Sequence, residues 1–209
     1  MDDHCLTLPW RPQWTGIFGM LLLGAIAQPA VASDGDMPVA FSRSLERYEV
    51  PAVTLVNQNN KRVELNRVLS SDRPAMLEFF FTTCTTICAV RSARLAPVEA
   101  DLARDRIDID FVSISVDPEF DTPKHLREYA TRCRPLPHRW FLLTGSPPEV
   151  RRVEAAFDAS NPSADKMMHR PLTFIRIHPG GPWMRIEGML GSHDLAQLIR
   201  SAIASHSSM

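Results

Sequence analysis

An apolar run that stops at a pair of cysteines constrains this chain most. The run from Met76 to Phe81 is broken only by Glu78, and Cys84 and Cys88 follow it closely. Such a short apolar run predicts a buried strand in the centre of a sheet. The four-residue spacing places both sulfurs on one face of a helix that begins after the strand. This pair can close a disulfide or bind one soft metal ion.

The rest of the chain alternates strands with helices. An Asn-rich turn between two β-like segments predicts an N-terminal hairpin, and Ser146 with Glu149 forms a capping-box pattern that opens a helix. The expected strands are 53–56, 62–65, 76–82, 107–116, 140–143, 172–177 and 183–187, and the expected helices are 88–104 (with a kink or restart at Pro97), 123–132, 146–157 and 194–202. This order predicts an α/β domain with a mixed sheet, helices on both faces and an antiparallel edge.

The N-terminus is typical of an export signal rather than of the folded domain. Apolar residues run from Ile17 to Ala27, and the small residues Ala30 and Ala32 precede a cleavage site at Ser33. We therefore expect residues 1–32 to be a signal peptide or an uncleaved anchor. Residues 33–50 are expected to form an irregular linker, and residues 51–205 the folded domain. Export across a bacterial inner membrane predicts a periplasmic protein, soluble or anchored to that membrane.

Composition excludes several classes of protein. The chain has 209 residues, of which 44% are hydrophobic and 22% charged, values that are ordinary for one globular domain. The formal net charge is -1, and the chain has no long basic run. A nucleic-acid partner, which usually requires a basic face, is therefore not expected.

His169 is the best candidate for a third ligand beside the two cysteines. It lies in a loop just before the strand predicted at 172–177. If that strand lies beside the central one, the loop reaches the same end of the sheet as Cys84 and Cys88. Two thiolates and one imidazole form a soft ligand set that suits copper, and zinc would also accept it.

Two acids follow the second predicted strand. Asp117 and Asp121 either shape the loop and cap the next helix, or they support the site by hydrogen-bonding to a metal ligand or by shaping a loop that docks a partner. Met167 and Met168 are thioethers beside the histidine, where packing is the ordinary role. After removal of the signal peptide, Cys133 is left as an unmatched third cysteine.

Several segments resemble the Sco/SenC family of thioredoxin-like copper-binding proteins. The resemblance spans roughly residues 51–203 and depends on the segments 79–88, 115–123 and 140–145 and on His169. It implies a thioredoxin-like fold with one copper ion, Cu(I) or Cu(II), bound by Cys84, Cys88 and His169, and with Asp117 and Asp121 in the family's acidic loop. The chain departs from the family at Thr85 and Ala89, where proline is common, and at Arg170-Pro171 after the histidine.

The resemblance implies a metallochaperone that assists assembly of the binuclear copper site of cytochrome c oxidase, by copper transfer or by thiol reduction. Its partners would be the oxidase subunit that carries this site and other periplasmic copper carriers or thiol reductants. An alternative from another class is a thiol–disulfide oxidoreductase or thiol peroxidase in which Cys84 and Cys88 form the redox pair. A copper or redox sensor would use the same residues.

Overall fold

The computed structural model describes residues 41–84, 87–163 and 165–207. Within these residues, eight strands form one sheet and six helices accompany it. The strands are β1 (Ser42–Glu46), β2 (Thr54–Asn57), β3 (Arg62–Glu64), β4 (Ala75–Phe80), β5 (Asp110–Ser115), β6 (Trp140–Thr144), β7 (Leu172–Arg176) and β8 (Trp183–Glu187). The helices are α1 (Leu65–Leu69), α2 (Ile87–Ala93), α3 (Leu95–Ala103), α4 (Pro123–Arg132), α5 (Pro147–Ala156) and α6 (Ser192–Ser207), with a 3₁₀ turn at Lys166–Met168.

The sheet is mixed, as the sequence predicts. Its strand order is β1-β8-β7-β4-β5-β6-β2-β3. The three central strands β4, β5 and β6 are parallel, whereas β7 pairs antiparallel with β4 and the outer strands continue antiparallel on both sides. Every residue of β4 and β5 is buried. The carboxyl ends of the central strands and the start of β7 therefore meet at one end of the sheet.

An apolar core holds the sheet against its helices. Phe157 at the end of α5 packs edge-on against Phe174 of β7 and Trp183 of β8, with 5.1 Å between ring centroids in each pair. All three rings are at most 2% exposed. Aromatic pairs in this geometry contribute beyond their buried area, so the core fixes β7 firmly relative to α5.

The predicted local signals are confirmed at most element ends. The N-terminal hairpin is present, and Asn60 in its turn has φ 59°, a conformation that asparagine tolerates. Thr122 caps α4, and both hydrogen bonds of the capping box at Ser146 are formed. The helix predicted at 88–104 is divided at Arg94, so that Pro97 falls in the first turn of α3, where proline is tolerated.

One prediction about the linker is wrong. Residues 33–50 were expected to be irregular, but Ser42–Glu46 forms β1, an edge strand paired with β8. All five residues of β1 are exposed, so no apolar alternation marked the strand, and its pairing depends on backbone hydrogen bonds. The signal peptide predicted at 1–32 and linker residues 33–40 lie outside the described residues. Among those that are described, the helices are all too short or too polar to cross a membrane.

Candidate metal centre

The two cysteines lie where the central strand gives way to a helix. β4 ends at Phe80, and Cys84 precedes α2, of which Cys88 is the second residue. Cys84 is 4% exposed and Cys88 is 1% exposed. The backbone N–H of Cys88 donates to the sulfur of Cys84 at 3.4 Å. Both cysteines therefore lie near the start of α2, as predicted, but only Cys88 is part of the helix.

Burial decides the protonation of Cys88. It raises the pKa of the Cys88 thiol far above its ordinary value, and the neighbouring Cys84 sulfur raises it further. The positive charge of Arg91 lowers this pKa, but its effect is smaller. The start of a helix generally favours a thiolate, but for Cys88 the cost of desolvation outweighs that effect. Cys88 is thus a protonated thiol at neutral pH.

His169 lies at the same end of the sheet, although it is far from the two cysteines in the sequence. The 3₁₀ turn Lys166–Met168 begins at Asp165, whose side chain accepts a hydrogen bond from the backbone N–H of Met167 at 2.9 Å. His169 follows this turn and precedes β7, the antiparallel neighbour of β4. Its ring contacts Phe81, with 5.7 Å between ring centroids. The topological prediction for His169 is confirmed.

The surroundings of His169 define its tautomer. Its Nδ1 lies 3.2 Å from the carbonyl oxygen of Lys166, and because a carbonyl only accepts, Nδ1 carries the proton. Its Nε2 is buried and has no hydrogen-bond partner among the described residues. Burial lowers the pKa of His169, and the charge of Arg91 lowers it further. The ring is therefore neutral and has a buried lone pair on Nε2, which is the form in which histidine binds a metal.

The three predicted ligands share one end of the sheet but do not converge on one point. Within residues 41–84, 87–163 and 165–207, no group of three His, Cys, Asp or Glu side chains is arranged to hold a metal ion. The types of donor nevertheless fit a soft metal, since two sulfurs and an imidazole nitrogen are the ligands that copper selects.

Asp121 holds the cysteine loop. Its carboxylate is completely buried and accepts hydrogen bonds from the backbone N–H of Thr82 at 2.9 Å, from the Thr82 hydroxyl and from the Ser115 hydroxyl at 2.5 Å. Thr82 lies just before Cys84, and Ser115 ends β5. Asp121 therefore ties the exit of β4 to the exit of β5, on the cysteine side of the site.

Asp117 holds the histidine loop. Its carboxylate forms an ion pair with Lys166, at the start of the 3₁₀ turn that leads to His169. The Lys166 ammonium also lies 5.3 Å from the centroid of the Phe81 ring and 6.0 Å from that of Phe120. Both acids thus have side-chain partners, and each organises a different loop of the site.

A buried ionic cluster lies beneath the site, and sequence reasoning missed it. Glu78 of β4 pairs with Arg91 at 3.2 Å and with Arg94 at 3.5 Å, and these side chains are 2%, 2% and 6% exposed, respectively. A glutamate inside the apolar run of β4 was the available signal, because a buried carboxylate requires a cationic partner.

The other residues considered from the sequence lie at the edges of the site. Met167 and Met168 are 55% and 65% exposed and flank the histidine. Cys133 is buried at the end of α4. A cleft of about 390 Å³ opens beside His169 and Lys166 and includes Glu154 of α5. A larger apolar groove, of about 420 Å³, lies between β1, β8 and α6 and contains none of the predicted ligands.

Comparison with known proteins agrees with the fold. Residues 44–203 match the family model described as SCO1/SenC. The "SCO1 protein homolog" of Bacillus subtilis (strain 168) is 36% identical over 98 residues, which cover 47% of this chain and 50% of that protein. The match thus spans about half the length of this relative.

Solved structures extend the similarity over most of the chain. BsSco is a member of the Sco family of cytochrome c oxidase assembly proteins in which a disulfide switch has been identified. Its structure has a TM-score of 0.62 to this chain, at 29% sequence identity. That similarity covers 77% of this chain and 96% of BsSco. ScoI of Arabidopsis thaliana, solved with copper bound, has a TM-score of 0.60 and 23% identity, covering 72% of this chain and 96% of ScoI. The thioredoxin-like fold predicted from the sequence is confirmed.

Proposed function

Because the chain belongs to the SCO1/SenC family, we propose that it binds copper as cargo for assembly of the binuclear copper site of cytochrome c oxidase. Cys84, Cys88 and His169 would hold one copper ion per chain. The observation that carries this proposal is the buried, unpartnered Nε2 of His169 at the same end of the sheet as two buried thiols. A buried polar atom without a partner is costly, and a metal ion would satisfy it.

Capture requires the thiol protons to leave and the ligands to draw together. Copper would displace the proton that burial keeps on Cys88, so binding strengthens as the pH rises. The Nδ1–H of His169, bonded to the Lys166 carbonyl, orients the ring for coordination through Nε2. Release would follow by ligand exchange with the cysteines of the oxidase subunit or of another copper carrier. The export signal expected at 1–32 would bring the protein to the periplasm, free or tethered to the membrane.

A second function uses the same thiols as an enzyme. As a thiol–disulfide oxidoreductase or thiol peroxidase, Cys84 would attack a disulfide or peroxide and Cys88 would resolve the intermediate. The neighbouring sulfurs favour this candidate, since the Cys88 N–H contacts the Cys84 sulfur. If the substrate is a disulfide between the oxidase subunit's own cysteines, its reduction would also serve assembly of the copper site.

Copper titration of the reduced full-length protein tests the proposal. We expect about one Cu(I) per chain, and loss of this stoichiometric binding in Cys84→Ala and in Cys88→Ala. Cys133→Ala is the matched control, because it removes a buried thiol that is not one of the predicted ligands, and it should bind as the wild type does. Copper retained at full stoichiometry by both single-cysteine variants would refute the site.

His169→Ala separates the two functions. Loss of one of three ligands should weaken copper binding by more than about tenfold, which corresponds to roughly 1.4 kcal/mol. Thiol–disulfide exchange needs no imidazole ligand, so its rate should stay close to that of the wild type. Unchanged copper affinity, measured by competition with a chromogenic Cu(I) chelator, would favour the enzyme.

A further inference from the structure

Arg91 is buried at the base of the candidate site. It lies in α2, three residues after Cys88, and is only 1% exposed. Its guanidinium donates to the carbonyl oxygen of Phe79 at 3.3 Å and to that of Leu172 at 2.5 Å. A fully buried arginine is rare and requires several partners. These two carbonyl groups belong to β4 and to the start of β7.

The two carbonyl groups belong to strands that separate at this point. The ladder between β4 and β7 ends at the pair Glu78 and Thr173. Phe79 and Leu172 come next, and their carbonyls are joined by the Arg91 guanidinium instead of by a backbone hydrogen bond. Beyond them, one strand continues to the cysteines and the other comes from His169. Arg91 thus bridges the two halves of the site where the sheet opens.

The cluster beneath the site carries an excess positive charge. Glu78 supplies one carboxylate, whereas Arg91 and Arg94 supply two guanidinium groups, which stay charged at any physiological pH. Two thiolates holding Cu(I) carry a net charge of −1, and the same ligands holding Cu(II) are neutral. A fixed positive charge near the ligands therefore stabilises the Cu(I) form more strongly. Arg91 is placed to act on both sides of the site, because it lies three residues after Cys88 in α2 and donates to the carbonyl of Leu172, at the start of the strand that follows His169.

We propose that Arg91 is a positioning residue of the copper site, which clamps the cysteine helix to the histidine strand and favours Cu(I) over Cu(II). The inference rests on the proposed function for its copper part only. The clamp itself is a property of the copper-free protein and can be tested there.

Three variants separate the clamp from the charge. Arg91→Gln removes the charge but keeps an amide that can donate to one carbonyl. Arg91→Lys keeps the charge but cannot bridge two carbonyls with one rigid fork. Arg94→Gln is the control for charge, because it removes a guanidinium from the same Glu78 carboxylate three residues further from Cys88. Arg94 also donates to the Thr173 hydroxyl at 3.0 Å and to the Leu190 carbonyl at 2.9 Å, so it contacts β7 through a side chain and not through the carbonyls of Phe79 and Leu172.

Hydrogen–deuterium exchange of the copper-free, full-length protein tests the clamp. We expect amide exchange at residues 172–174 to become at least about tenfold faster in Arg91→Gln and in Arg91→Lys, and to change less in Arg94→Gln. Exchange at wild-type rates in both Arg91 variants would overturn the clamp. Because this readout needs no metal, it decides the clamp even if the wild type binds no copper, the result that would refute the proposed function.

Parallel titrations with Cu(I) and Cu(II) test the charge. Residues that support metal ligands typically change affinity by about 10–100-fold, and we expect Arg91→Gln to lose that much for Cu(I) and less for Cu(II). Arg91→Lys should keep the wild-type ratio of the two affinities. Equal losses for both oxidation states in Arg91→Gln, or a ratio lost in Arg91→Lys, would overturn the charge effect. If Arg91→Gln does not fold, the ratio of the Cu(I) affinity to the Cu(II) affinity is compared between Arg91→Lys and Arg94→Gln. Loss of the wild-type ratio in Arg91→Lys, which keeps the charge, would overturn the charge effect.

Discussion

Replacing Asp121 by asparagine tests whether one buried carboxylate holds the cysteine loop. Asp121 is 0% exposed and accepts three hydrogen bonds, two from Thr82 and one from Ser115. Hydrogen bonds to a charged group contribute about 1.5–3 kcal/mol each. Asparagine keeps the shape, but it loses the charge and places a donor where the carboxylate accepted. Rotation of the Thr82 hydroxyl can recover one bond, so we expect a loss of about 2–4 kcal/mol.

Urea unfolding at neutral pH measures this loss. Small domains are stable by about 5–15 kcal/mol, so the variant should still fold and give a complete transition. Asp117→Asn is the matched control. Its ion pair joins side chains that are 41% exposed at Lys166 and 18% exposed at Asp117, and a partly exposed pair contributes less than about 1 kcal/mol.

The comparison of the two variants decides the interpretation. A loss below about 1 kcal/mol in Asp121→Asn, at an unchanged denaturant slope, would refute the assigned role of its three hydrogen bonds. A loss of equal size in Asp117→Asn would show that its partly exposed ion pair contributes more than about 1 kcal/mol to the free energy of unfolding. Copper affinity should fall in Asp121→Asn as well, because Thr82 lies two residues before Cys84.

Two further predictions concern the stability of the fold. Burial raises the pKa of Glu154 from 4.5 to about 6, against the charge of Arg151; the folded state therefore binds the extra proton, and stability falls as the pH rises through this window. Glu154→Gln should reduce this pH-dependent loss of stability by about 1 kcal/mol, a value that has been halved because the group is partly exposed. Equal pH profiles of thermal unfolding in the variant and the wild type would contradict this. A Cβ at Gly145 would lie 2.6 Å from the buried Leu55 Cδ2, so Gly145→Ala should cost about 1–3 kcal/mol. In a double-mutant cycle Leu55→Ala should reduce that cost, and simple additivity would contradict the clash.

The position of His169 could be predicted because topology determines it. A histidine before a strand that neighbours the central strand must reach the end of the sheet where β4 stops, if the two strands are antiparallel. The distances from its ring to the sulfurs could not be predicted in the same way. They depend on side-chain torsions and on contacts such as Nδ1 to the Lys166 carbonyl, which follow no sequence period.

Arg91 and β1 were missed for opposite reasons. A helical pattern assigns arginine to the exposed face, yet Arg91 faces the sheet because Glu78 and two strand carbonyls offer it partners. Sequence patterns of burial cannot show such partners, which come from three separate segments. In β1 every side chain is exposed, so the apolar alternation that reveals other strands is absent. Its backbone alone forms the edge.

The selectivity of the site follows from where its acids are used. Glu78 is paired with arginines, Asp117 with Lys166, and Asp121 with hydroxyl and backbone donors. The oxygens of these three carboxylates, which would attract Mg²⁺ or Ca²⁺, are therefore already engaged, and the three predicted ligands are two sulfurs and one imidazole nitrogen. The protonated, buried thiol of Cys88 would also yield only to a metal that binds sulfur strongly enough to displace its proton. Between copper and zinc, copper binds such donors more tightly, so under the proposed function this donor set would favour copper.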